Sequence, residues 1–250
     1  LNDIKIKNEK NKIFVISKSF DISSNIENIL KSKSERTILD FFQNLNTLLI
    51  VKIDEAKIDN DHSFKFLNGK LKIRSNKISR ANLSAKFNEK DNFLFTKDDI
   101  EGKNVTTIFS DLAKPFVKKF DFIKGFEGGK LDYTSTEINS NLSKSELRIY
   151  NFKLQDMPAL TKLLSLASLQ GIADLATGEG IRFNEFDMFF ENSKDLIKIS
   201  EIYALGPAIS ILMEGYVEKD ELISLRGTLV PATTINKFIG SLPVLGKILV

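Results

Sequence analysis

Three groups of residues in this chain have types and spacings that could do chemistry. The adjacent carboxylates Asp54/Glu55, Asp98/Asp99 and Asp220/Glu221 could hold a hard cation or exchange protons. Gly125-Phe126-Glu127-Gly128-Gly129-Lys130 is glycine-rich enough to cradle an anion, and His62 is the one imidazole. Each has a plainer reading. The carboxylates fall in turns or on polar faces. The glycine run precedes a strand instead of opening a helix. His62 lies in the polar turn Asn60-Asp61-His62-Ser63 and reads as a surface residue. A single histidine excludes His-rich zinc sites and most imidazole acid–base schemes, and the absence of cysteine excludes thiol chemistry and disulfides. No nucleophile elbow, phosphate loop or dinucleotide fingerprint is present. The chain reads as non-catalytic, with no metal and no cofactor.

The elements that would position such residues are mainly strands. The chain has 250 residues, 42% hydrophobic and 28% charged, the balance of a folded protein with a sizeable core. Residues 1–150 carry 27 basic and 21 acidic groups; residues 151–250 carry 9 and 12. The net charge of +3 and the excess of lysine (30) over arginine (6) argue against a nucleic-acid partner. The chain opens at Leu1 and closes on the apolar run Lys247-Ile248-Leu249-Val250, so it is expected to be a piece of something longer.

Residues 1–124 read as a β-rich segment. Short strands are expected at Ile4–Lys7, Lys12–Ile16, Leu48–Ile58, Phe64–Phe66, Gly69–Ile73, Ile78–Phe87 and Phe93–Thr96. Asn68-Gly69 is a hairpin signal, and Asn88 to Asn92 is a polar turn. Ile38 to Leu45 suggests a helix or connector. Val105, Ile108, Phe109 and Leu112 recur at helical spacing, which predicts a helix over 103–120 interrupted at Pro115.

Residues 125–250 form the second region. Lys130–Thr134 and Leu142–Phe152 predict a strand pair, with Leu147, Ile149 and Asn151 facing one way and Arg148, Tyr150 and Phe152 the other. Asp156 and Pro158 open a nearly all-apolar helix over 157–176. A four-strand meander follows at 181–190, 196–203, 209–219 and 222–230, where short turns imply antiparallel pairing. Apolar residues alternate along it, leaving one greasy face and one polar face. A closing apolar helix begins near Ile235.

Several of these segments resemble the C-terminal region of AsmA-like proteins, a bacterial envelope family that includes TamB- and YhdP-type members. The carriers are Gly129-Lys130-Leu131, Leu147-Arg148-Ile149-Tyr150-Asn151-Phe152-Lys153-Leu154, Asp156-Met157-Pro158-Ala159-Leu160 and Leu163 to Gly171. Gly178-Glu179-Gly180-Ile181-Arg182-Phe183, Ala204 to Ala208, Leu225 to Ala232, Asn236 to Ile239 and Leu242 to Gly246 continue the match. The resemblance covers about residues 125–250; over 1–125 it is one of architecture only. It implies a mainly β fold with a few helices: a taco-like, open antiparallel β-groove capped by apolar helices. It implies a periplasmic protein held to the inner membrane by an upstream anchor, with the C-terminal apolar helix as a further membrane contact. The implied role is to carry phospholipids from the inner to the outer membrane and maintain outer-membrane integrity. The alternative is a scaffold that regulates outer-membrane protein assembly. The expected acyl-chain lining is Leu131, Tyr133, Leu147, Ile149, Phe186, Met188, Phe190, Ile209, Ile211, Met213, Ile223, Leu225 and Leu229. Apolar lining of this kind stabilises each buried methylene by about 0.8 kcal/mol.

Overall fold

A computed structural model describes residues 4–23, 45–75, 77–117, 125–155, 180–218 and 222–231. The expected helices at 157–176 and from Ile235 onward, and the connector at Ile38–Leu45 apart from Leu45, lie outside the described residues. Among the described residues no helix is long and apolar enough to cross a membrane.

The protein is mainly β. Among the described residues thirteen strands hydrogen-bond in chain order, and the two end strands do not pair with each other. Every strand pair with a defined register is antiparallel except one. The chain divides into two compact units, Leu1–Lys119 with Leu131–Ile138, and Phe120–Lys130 with Asn139–Val250.

The first unit contains β1 (Ile4–Glu9), β2 (Lys12–Asp21), β3 (Thr47–Lys57), β4 (Ser63–Arg74), β5 (Lys77–Lys86), β6 (Asn92–Ile100) and β7 (Lys103–Ser110). It also holds the latter part of β8 (Phe126–Asn139). β2 and β3 are the parallel pair, which no tight turn can close. Register across the strands stacks Val15, Val51, Gly69, Leu83, Phe95, Ile108 and Tyr133 in one row. The next row holds Ser17, Ile53, Leu67, Ala85, Phe93, Ser110 and Leu131. The second row is buried throughout, whereas the first is half-buried except at Val51, and the core ends in an aromatic cluster. There Phe93 lies 4.4 Å from Phe64 and 5.7 Å from Phe116, centroid to centroid. Phe116 belongs to the short helix α1 (Lys114–Val117).

Two expectations change here. Residues 103–110 are strand β7, not helix, and among the described residues the helical part is α1, Lys114–Val117. The run Val105-Thr106-Thr107-Ile108 is β-branched throughout, which suits a strand, and β7 is paired on both sides. The apparent helical period arises because Ile108 and Phe109 serve opposite faces, Ile108 beside Phe95 and Phe109 beside Leu94. Asn68-Gly69 is not a turn either; it lies inside β4, and the chain turns at Ser75. Gly69 is required for close approach. A Cβ there would lie 2.0 Å from the carbonyl oxygen of Asn82.

The second unit contains β9 (Leu142–Leu154), β10 (Ile181–Asn192), β11 (Leu196–Leu205), β12 (Ile209–Glu218) and β13 (Ile223–Pro231), with the start of β8. The meander expected from the short turns is present. Asn151, expected on the face of Leu147 and Ile149, instead takes a left-handed backbone, φ 54°. Passing through that conformation shifts the alternation, so Ile149 and Phe152 are both buried. Phe152 stacks between Phe126 at 5.1 Å and Phe183 at 5.2 Å.

Candidate functional site

The feature of the second unit that can bind something is a sheet face. Residues opposite one another in an antiparallel ladder share a face. The registers therefore place Ile149, Phe186, Ala204, Ile211 and Leu229 in one row across β9 to β13. Leu147, Met188, Ile202, Met213 and Gly227 form the next row. Ser145, Phe190, Ile199, Gly215 and Leu225 form a third, and Ser143, Asn192, Ile197, Val217 and Ile223 a fourth. These twenty positions include no charged group.

The reverse face is polar and ion-paired. Arg148 reaches Glu146 on its own strand and Asp187 on β10, the latter at 3.2 Å. Lys144 meets Glu191 at 3.2 Å, and Arg226 meets Glu214 at 2.8 Å. The Glu146 charge holds the Arg148 guanidinium pKa above its ordinary value; desolvation opposes it, and Tyr150 and Asp187 add smaller contributions in the same direction as Glu146.

Exposure of the apolar face changes across the strands. Ile149, Ile199, Ile202, Ala204 and Ile209 are buried. Leu147, Phe186, Met188, Phe190, Ile211 and Met213 are half-buried. On β13, Ile223, Leu225 and Leu229 are 51%, 40% and 39% exposed. The open part of the face is thus the β13 side.

Eleven of the thirteen residues expected to line an acyl site belong to this unit. Ten of them occupy the four rows, and Ile209 pairs with Pro231 at their margin. Leu131 and Tyr133 belong to the first unit, where they pair with Ser110 and Ile108; Leu131 is buried and Tyr133 half-buried. The sequence reading expected the strand at 196–203 but not its part in this face, whose centre is filled by Ile197, Ile199, Ile202 and Ala204 of β11. The register shifts between Ile199 and Ile202, so apolar residues spaced two, three and two apart still reach the same side. Ser200 marks that irregularity by donating its hydroxyl to the Phe189 carbonyl at 2.9 Å. Gly215 lets β13 approach: a Cβ there would stand 2.0 Å from the Ser224 carbonyl oxygen.

The other groups singled out for chemistry are engaged in local structure. Glu55 accepts from Lys65 and, with smaller effect, from Ser63, which hold its pKa below the usual value. Asp98 pairs with Arg80 at 3.0 Å, and Asp99 accepts the Gly102 N–H. Asp220/Glu221 lies outside the described residues. His62 is half-buried, not a free surface residue: its Nδ1 sits 3.0 Å from Asp59, which also accepts the N–H groups of Asp61 and His62. Burial pushes the Asp59 pKa up, but those bonds outweigh it and hold it below its ordinary value. Asp59, Asp61 and His62 could together offer three ligand atoms to a cation, although they already close their own turn. Gly125 is a strand-entry residue whose carbonyl accepts the Gln155 N–H.

Compared with protein families, with curated proteins and with solved structures, the chain finds no match.

Proposed function

We propose that this chain is a segment of an AsmA-like cell-envelope protein that holds phospholipid acyl chains on the apolar face of β9–β13. In this reading it serves lipid transport from the inner to the outer membrane, works in the periplasm, and makes and breaks no covalent bond. The observation that carries it is the set of four charge-free rows whose exposure rises toward β13. Such a face removes acyl methylenes from water at about 0.8 kcal/mol each while the headgroup stays hydrated. A flat series of Ile, Leu, Met and Phe offers no single anchoring point. A bound chain can therefore shift from row to row at little cost, as a conduit requires.

The test is mass spectrometry of the organic extract of gently purified protein. Stoichiometric phospholipid is expected. Met213→Asp, Leu225→Asp and Leu229→Asp together should abolish it while strand content by circular dichroism stays unchanged. Lipid occupancy that survives the triple change would sink the proposal. A second reading, a scaffold for outer-membrane protein assembly, draws on the exposure of β13 at the end of the strand order, where an added strand could pair. Co-purification of an outer-membrane protein without lipid would favour it.

A further inference from the structure

The polar face of the first unit carries an unpaired charge pattern that the lipid-carrying reading does not use. Register places Glu9, Lys12, Leu48 and Lys72 in one row across β1 to β4. Lys7, Phe14, Ile50 and Lys70 form the second row, and Lys5, Ile16, Lys52 and Asn68 the third. Strands lie about 4.8 Å apart and same-face residues about 6.8 Å apart, so this grid is about 14 Å on a side. It holds six lysines and one acid. All six lysines are exposed, and none forms an ion pair among the described residues. Beyond β4 the same three rows turn largely neutral, through Asn82, Ser84, Thr96 and Thr107, and their one further cation, Arg80, is matched by Asp98.

We infer that this face of β1–β4 docks on an anionic lipid surface. Two features choose that partner over a nucleic acid. The cations are all lysines, which act as point charges and lack the planar fork that reads phosphate and base edges. Between them stand Phe14, Ile16, Leu48 and Ile50, part-exposed apolar side chains that an interfacial region accepts and a phosphodiester backbone does not. The attraction is a surface-potential effect, so it must fade as the screening length falls from about 8 Å at physiological salt to about 3 Å at 1 M.

The test is flotation of the purified chain with vesicles of phosphatidylcholine alone and with about one-third phosphatidylglycerol. Binding to the anionic vesicles only, lost at high salt, is expected. Each lysine near such a surface contributes about a fivefold change in partitioning, so Lys7→Gln, Lys70→Gln and Lys72→Gln together should weaken binding about a hundredfold. A matched set on exposed lysines elsewhere, Lys90→Gln, Lys194→Gln and Lys198→Gln, should bind as the unaltered chain does. Equal loss in both sets would overturn the assignment to this face. So would binding of an oligonucleotide, with the same lysine dependence, by a chain that ignores the vesicles. The Met213→Asp, Leu225→Asp, Leu229→Asp variant should keep its vesicle binding, which separates this surface from the acyl-binding proposal.

Discussion

The two units solve the same problem with one shared device and two different surfaces. In each, a strand passes through a residue other than glycine in the left-handed region, Phe66 in β4 at φ 53° and Asn151 in β9 at φ 54°. In each, the side-chain alternation shifts there, so that buried residues stand three apart: Phe64 and Leu67, then Ile149 and Phe152. Each shift feeds an aromatic cluster. The surfaces then diverge. The second unit pairs Lys144, Arg148 and Arg226 of its polar face with carboxylates and leaves apolar area open along β13. The first leaves the six lysines of its β1–β4 polar face without an ion pair among the described residues and closes its aromatic cluster with α1. The comparison teaches that the shared backbone device supplies stability, while the surface charges and the end strand supply what is available for binding.

The largest expected effect tests whether both clusters carry stability. Phe93→Ala and Phe152→Ala each remove a ring with at least two aromatic partners, and each should cost about 3–5 kcal/mol. Hydrogen exchange should report the loss of protection mainly in β5–β7 for Phe93→Ala and in β9–β10 for Phe152→Ala. Uniform loss across all strands in both variants would show that the units unfold as one.

A smaller effect separates the two left-handed positions. Asn tolerates this backbone; an aromatic residue is strained in it. Phe66 is also 64% exposed, so its ring contributes little packing. Phe66→Asn should therefore stabilise the first unit by about 1 kcal/mol, whereas Asn151→Gly should change the second by less than about 0.5 kcal/mol. Thermal unfolding measures both. A destabilised Phe66→Asn variant would mean that the exposed ring has a partner worth keeping.

Much of this architecture was legible in the sequence, and the failures share a cause. Alternation located the meander and the polar turn at 88–92, and it placed Phe186, Met188 and Phe190 on one face. It failed where the period of two is interrupted. At Asn151 the left-handed backbone moved Phe152 to the face assigned to Ile149. At Ser200 the shifted register hid β11 from the apolar face. At Gly69 a residue type that signals a turn was needed inside a strand for close approach. In β7 an i, i+3, i+4 coincidence imitated a helix while both faces of a strand were apolar. The lysine grid on β1–β4 is a further case. Composition showed the excess of lysine, but only the parallel register of β2 and β3 brings Lys12 and Lys52 onto one surface with Lys70 and Lys72.

The smallest expected effect is a pH dependence that should begin in the first unit. Burial raises the Glu137 pKa, but Lys97, Asn104 and Lys77 outweigh it and hold the carboxyl below its ordinary 4.5. Glu55 and Asp59 are held down as well, Asp59 below 3.8. A carboxylate whose pKa is depressed by folding binds its proton more readily in the unfolded chain. Its contribution is therefore complete above the ordinary value and is lost as pH falls through the folded one. These three carboxylates, each held down by bonds that exist only in the folded chain, all belong to the first unit. Acidification below about pH 4.5 should thus expose amides of β3–β8 before those of β10–β12. Glu137→Gln should remove part of that slope and cost about 0.5 kcal/mol at neutral pH, the scale of one part-exposed pair. Hydrogen exchange at neutral and acid pH distinguishes the outcomes. If Glu137→Gln leaves the acid slope of the first unit intact, the Lys97–Glu137 pair is not what makes that unit acid-sensitive. The difference between the units would then rest on Glu55 and Asp59 alone.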